Sequence, residues 1–167
     1  AETMWINEGF ASYCELVSDE VLDPTRERFY ETLLALHRSV LKNAHNDDGG
    51  FYALDNVPLD YTYGTTSYDK GSLVAHSLRG YMGDELFFSS LKTLFEQNPF
   101  SYMDSELFFQ KLSQISGIDL TDFYLGWVHQ PGFLHFSVDS IVTISGNQYQ
   151  VHLRQRLYEA HNFANSN

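Results

Sequence analysis

Trp127-Val128-His129-Gln130-Pro131-Gly132-Phe133-Leu134-His135-Phe136-Ser137-Val138 is where the sequence changes its period. Beyond Pro131-Gly132, Leu134, Phe136 and Val138 alternate with polar residues, the spacing of a half-buried strand. The alternation lapses at Ile141-Val142-Thr143-Ile144, although all four are strand formers. Gly146-Asn147 is a hairpin signal, and Tyr149, Val151 and Leu153 alternate after it. A β-hairpin is therefore expected near residues 133–155. Two strands alone rarely make a stable unit, so residues 131–157 read as the start of a larger β region. Residues 158–167 form a polar, unpatterned tail.

Upstream of this break the period is helical. Met4, Trp5, Phe10, Ala11, Tyr13, Cys14, Leu16 and Val17 suit one buried helix face over residues 4–20. Asp23-Pro24 interrupts it, and Thr25 can open a second helix over 25–44, with Phe29, Leu33, Leu36 and Val40 three or four apart. Residues 43–50 are a turn cluster, and 51–67 carry no helical period. A helix from about Thr66 to Tyr81 should turn Leu73, Val74, Ser77 and Leu78 inward. The next, over 84–97, carries a stripe of Leu86, Phe87, Ser90, Leu91, Leu94 and Phe95. Asp104 is the cap expected for a further helix that stops at Gly117, and Thr121 begins a short one reaching His129. The fold class is thus mainly α: a helical array over residues 1–130, then a short β-hairpin.

Composition narrows the function classes. Of 167 residues, 10 are Lys or Arg and 22 are Asp or Glu, a net charge of −12 that argues against nucleic acid as partner. With 43% hydrophobic and 16% aromatic residues, disorder is excluded. No apolar run approaches the roughly 18 residues of a membrane span. The single cysteine, Cys14, excludes an internal disulfide framework and a cysteine-only metal site. The chain opens with no basic leader or apolar signal core. With its polar end, it reads as a piece of a longer protein.

Two segments carry chemistry. In Trp5-Ile6-Asn7-Glu8-Gly9-Phe10-Ala11 a glutamate on an apolar helix is followed by Gly, which costs about 1 kcal/mol in a helix interior and so points to a packing or access reason. Taken alone, Glu8 reads as a solvated helix residue. In Tyr68-Asp69-Lys70-Gly71, after a Gly/Thr-rich loop, a phenol at a helix start can donate to a developing oxyanion. Taken alone, Tyr68 reads as one packed tyrosine among eleven.

Together, and in this order, the two segments resemble the zinc aminopeptidases of the aminopeptidase N family (gluzincins). The Trp127–Val138 stretch resembles that family's junction between its helical catalytic domain and a β-sandwich. The resemblance implies that residues 1–130 are the C-terminal helical part of a catalytic domain, and that 131–157 begin a truncated β-sandwich. It assigns Glu8 as a zinc ligand and Tyr68 as the catalytic phenol that helps hold the oxyanion. The family's other two ligands lie in a His-Glu-x-x-His helix, whose glutamate is the general base. None of His37, His45, His76, His129, His135, His152 and His161 stands in such a motif, and the family's Gly-x-Met-Glu-Asn amine-binding segment is also absent. Glu15, two turns beyond Glu8 and roughly 10.5 Å along the axis, is a candidate to orient a histidine ligand. Lys70 matches the family's Tyr-x-Lys-Gly pattern and is read as positional. His76 is read as an inward-facing residue.

The implied function is that of a fragment of a zinc aminopeptidase acting on peptides, the fragment alone being inactive and holding no zinc tightly. The alternative from another class is a non-catalytic, peptidase-like binding or scaffold module. An aromatic ligand-binding platform is a third reading, disfavoured by the helical spacing of most Tyr and Phe. The fragment is expected to self-associate, possibly as a symmetric dimer, through apolar side chains exposed around Trp5 and Phe10.

Overall fold

Helix α1 (Met4–Leu22) buries one face, with Trp5, Gly9, Phe10, Tyr13 and Leu16, whereas Ala11 and Cys14, expected on that face, are exposed. In the computed structural model, which describes residues 3–43, 48, 52–99 and 101–158, this face is the spine of the helical part. After α1, the Asp23 carboxylate accepts from Thr25 Oγ1 (2.7 Å), Thr25 N (3.0 Å) and Arg28 N (3.2 Å). Helix α2 (Glu27–Asn43) therefore starts two residues later than Thr25, and Arg26 takes a left-handed φ of 58° to enter it. Short 3-10 turns at Leu54–Asn56 and Leu59–Tyr61 follow. A π-helical turn, Thr66–Lys70, then runs directly into α3 (Gly71–Met82).

Helices α4 (Asp84–Gln97) and α5 (Ser105–Ser116) complete the array. Asp104 caps α5 by accepting from Leu107 N at 2.8 Å, and Gly117 ends it at φ 74°. On α4, Phe87, Ser90, Leu91 and Leu94 are buried, the i, i+3, i+4, i+7 face. Phe95, expected in this stripe, lies one residue, or about 100° of helix, past it and is 53% exposed. On α3, Val74 and Leu78 are buried as expected, whereas Leu73 and Ser77 are half-buried. The short α6 (Thr121–Phe123) continues as a second π-helical turn, Tyr124–Val128.

The core closes around Trp5. Its ring is 0% exposed, with Phe10, Phe108 and Phe109 centroids at 5.8, 6.2 and 6.3 Å. Its indole N–H donates to Ser105 Oγ at 2.9 Å, which satisfies the buried donor and ties α1 to α5. The expected exposed patch around Trp5 and Phe10 is therefore corrected: the aromatic face of α5 covers it. A second tie is Arg79, 8% exposed, whose guanidinium is bidentate to Asp84 (2.8 and 2.7 Å), bonds Glu20, and stands 5.0 Å from the Phe88 ring. It clamps α3 to the end of α1 and the start of α4.

Beyond Pro131, β1 (Phe133–Ser145) and β2 (Gln148–Tyr158) pair as one antiparallel hairpin, turning at Gly146-Asn147. Val138 pairs with Leu153 and Ser140 with His152, so Asp139 is an extra residue, a β-bulge. The bulge explains the lapse in alternation. It brings Ile141 and Thr143 opposite Val151 and Tyr149, on the face that Val138 and Leu153 occupy. Phe136, Val138, Ile141, Tyr149, Val151 and Leu153 are all exposed.

Where α1 crosses the start of α3, backbone touches backbone. A Cβ on Gly9 would lie 2.9 Å from Gly71 Cα, Gly71 C and Ser67 O, closer than such contacts allow. Gly80, also on α3, faces open space. Gly9→Ala should destabilise the chain by roughly 1–3 kcal/mol through overpacking, in spite of the better helix propensity of Ala. Gly80→Ala should stabilise it by up to about 1 kcal/mol. Denaturant unfolding of both variants checks this; equal effects at the two sites would contradict the crossing as described.

Candidate active site

The crossing decides what the Tyr68-Asp69-Lys70-Gly71 segment can reach. Gly71 lies against Gly9, and a Cβ at Gly71 would sit 3.1 Å from Gly9 Cα and 3.4 Å from Trp5 Cβ. Thr66, Ser67 and Ser72, all small, are buried beside these glycines in sequence, and their hydroxyls have no partner among the described residues. Close approach of the two helices needs such small side chains.

With the helices this close, the half-buried Tyr68 phenol lies within electrostatic reach of the Glu8 carboxylate. Desolvation, then the neighbouring Glu8 carboxylate, holds the phenol above its usual value. Tyr68 is thus a protonated donor throughout the neutral range. The two site residues predicted from the sequence, some sixty residues apart, are brought together.

The other motif residues each hold a different element. Asp69 accepts from Ser39 Oγ on α2. Lys70, 5% exposed, donates from Nζ to the Tyr52 carbonyl at 2.6 Å, and burial pushes its ammonium down to about 7. The first turn is held from outside by the buried Asp48, whose Oδ1 accepts from Thr66 N at 3.2 Å. A π-helical turn spreads successive side chains differently from an α-helix, and such turns occur often at functional sites. Ser39, Tyr52 and Asp48 carried no signal in the sequence, because each contact joins segments distant along the chain.

The remaining candidates stand apart. Glu15 is exposed and has no polar partner among the described residues. His76 is half-buried between Tyr13 and Phe29, with Nδ1 3.4 Å from the Tyr13 hydroxyl; burial, then the Arg79 charge, lower its pKa. His45 and His161 lie outside the described residues. Among the described residues no three His, Cys, Asp or Glu side chains group as a metal site. Glu8 is one carboxylate donor, and these residues by themselves do not complete a zinc centre, which takes three or four protein ligands.

A helical array with this paired motif and an appended hairpin defines the class, and comparison with known proteins gives the family. The profile described as "Peptidase family M1 domain" matches residues 2–127, and the chain belongs to that family. It is 28% identical to Aminopeptidase N of Lactococcus lactis subsp. lactis over 156 residues, 89% of this chain and 18% of that protein. It is 28% identical to Aminopeptidase M1-B of Oryza sativa subsp. japonica over 134 residues, 78% of this chain and 15% of that protein. Aminopeptidase M1-C of the same plant is 27% identical over 139 residues, 81% of this chain and 16% of that protein. The chain spans less than a fifth of the length of these relatives. No helix among the described residues is long and apolar enough to cross a membrane.

Because the Glu8 carboxylate helps raise the Tyr68 pKa, neutralising it should ease ionisation of the phenol. In Glu8→Gln the Tyr68 titration midpoint should move down toward the ordinary tyrosine value of about 10. The sign follows from removing a negative charge beside a group that becomes negative. Carbon-13 NMR of labelled tyrosine reads this residue by residue. An unmoved midpoint would remove Glu8 as its partner.

Proposed function

We propose that the chain is part of a zinc-dependent aminopeptidase that releases N-terminal residues from peptides, contributing Glu8 as a metal ligand and Tyr68 as the donor to the oxyanion. The observation that supports this reading is the backbone contact of the two motifs at the Gly9–Gly71 crossing, with the Glu8 carboxylate close enough to raise the Tyr68 pKa. The remaining metal ligands and the general base are assigned to residues outside these 167, because one carboxylate cannot hold zinc at fixed geometry. The chain alone is accordingly proposed to be inactive and to hold zinc weakly. Tyr68 is suited to its role by its protonation state: a neutral phenol donates at neutral pH without becoming charged. Glu15 is proposed, from its place on α1, to orient a histidine ligand in the whole protein.

The test compares the chain, the whole protein and two variants of the latter, measuring bound zinc and aminoacyl-anilide hydrolysis. Glu8→Ala should lose zinc. Tyr68→Phe should keep zinc and lower kcat by roughly a hundred- to a thousandfold, the usual effect of losing one oxyanion donor. Full activity in Tyr68→Phe, or stoichiometric zinc on Glu8 in the isolated chain, would overturn the roles.

Residues 131–157 are proposed to begin a β-sandwich whose further strands cover the apolar face of the hairpin. In the isolated chain the same face is the proposed route of self-association. Light scattering should find a concentration-dependent dimer or larger species, and Val151→Lys with Leu153→Lys should return it to a monomer. A monodisperse wild-type monomer at high concentration would contradict this.

A further inference from the structure

A cavity of about 410 Å3 opens between α2, α3 and the segment that joins the helical array to β1. Neither Glu8 nor Tyr68 lines it, so it is separate from the candidate active site. Its walls are mostly apolar: Leu41, Val74, Trp127, Phe133 and Phe136 contribute. Volumes of roughly 300–1,000 Å3 with apolar walls and few polar groups are those of small-molecule sites.

The polar groups are informative. In a chain with 22 acids against 10 Lys and Arg, no Asp or Glu among the described residues lines this cavity, whereas Lys70 and His37 do. Lys70 is 5% exposed and has no carboxylate partner among the described residues; its one bond is to the Tyr52 carbonyl. An ammonium donates up to three hydrogen bonds. A buried cation with no counter-charge is destabilising, and an anion supplied from outside relieves it. The Ser77 hydroxyl is already committed to the Leu73 carbonyl at 2.9 Å and His37 is exposed, which leaves Lys70 as the buried polar group that selects a ligand.

We propose that this cavity binds a small apolar carboxylic acid, its carboxylate on Lys70 and its hydrocarbon against Trp127, Phe133 and Phe136. The same chemistry belongs to a free aliphatic acid and to the C-terminal residue of a peptide. Octanoate and N-acetyl-leucine represent the two, and the tighter binder identifies the source. The site uses only this chain's residues and does not depend on the proposed peptidase role.

The experiment is a titration of the full 167-residue chain with each probe below pH 7, followed by nitrogen-15 NMR. The Trp127 indole signal should move while that of Trp5, sealed in the core, stays. Octanol, which lacks the carboxylate, should bind at least about tenfold more weakly, since a charge-assisted bond is lost. Lys70→Met keeps the aliphatic stem and should lose the same factor for octanoate. Leu73→Trp fills the cavity from a half-buried position and should abolish binding, so the test stands even if Lys70→Met fails to fold. Equal binding of octanol and octanoate would overturn the proposal. So would undiminished binding to either folded variant, or shifts confined to the hairpin around Val151 and Leu153 with Trp127 unmoved.

Discussion

The contact between Gly9 and Gly71 is the constraint on which the candidate site depends. Two helix backbones meet there with no room for a Cβ on the first of them. Any side chain at position 9 would push α1 away from α3. Glu8 and Tyr68, one residue before Gly9 and three before Gly71, would separate with it. Glycine lowers the intrinsic helicity of α1, and the aromatic cluster around Trp5 and the Arg79 clamp offset that loss on either side of the crossing.

The Tyr68–Gly71 segment shows how four neighbouring residues serve three separate segments. Tyr68 reaches α1, Asp69 reaches α2, Lys70 reaches the Tyr52 carbonyl, and Gly71 lies against Gly9. A regular α-helix sets successive side chains about 100° apart, and the π-helical turn alters that spacing at the one place where every position is in use. The result is a phenol fixed by its neighbours beside the Glu8 carboxylate.

The hairpin poses the opposite situation. Its apolar face is well formed but uncovered, because two strands have no second layer of their own. The bulge at Asp139, whose carboxylate pairs with Arg154 at 2.6 Å, keeps that face continuous along both strands. A sheet face so kept in register is suited to burial. The helical array, by contrast, closes its own core around Trp5, Phe87 and Phe108.

What the sequence by itself determined is local: the helical periods, the Asp104 cap, the Gly117 stop, the change of period at Pro131-Gly132, and the Asn7-Glu8-Gly9 and Tyr68–Gly71 segments. These are legible because period, capping and turn chemistry act over a few residues. The start of α2 lies two residues past Thr25 because Asp23 gathers the free N–H of Arg28. Phe95 lies outside the buried stripe, and an apolar residue adjoining a stripe looks the same in sequence as one within it. The packing of distant segments is what covers Trp5 and Phe10 with α5, sets Gly9 against Gly71, and buries Lys70 with no counter-charge among the described residues. The physical reason is shared by all three: each depends on which distant segment occupies the space beside the residue, and periodicity along the chain carries no information about that.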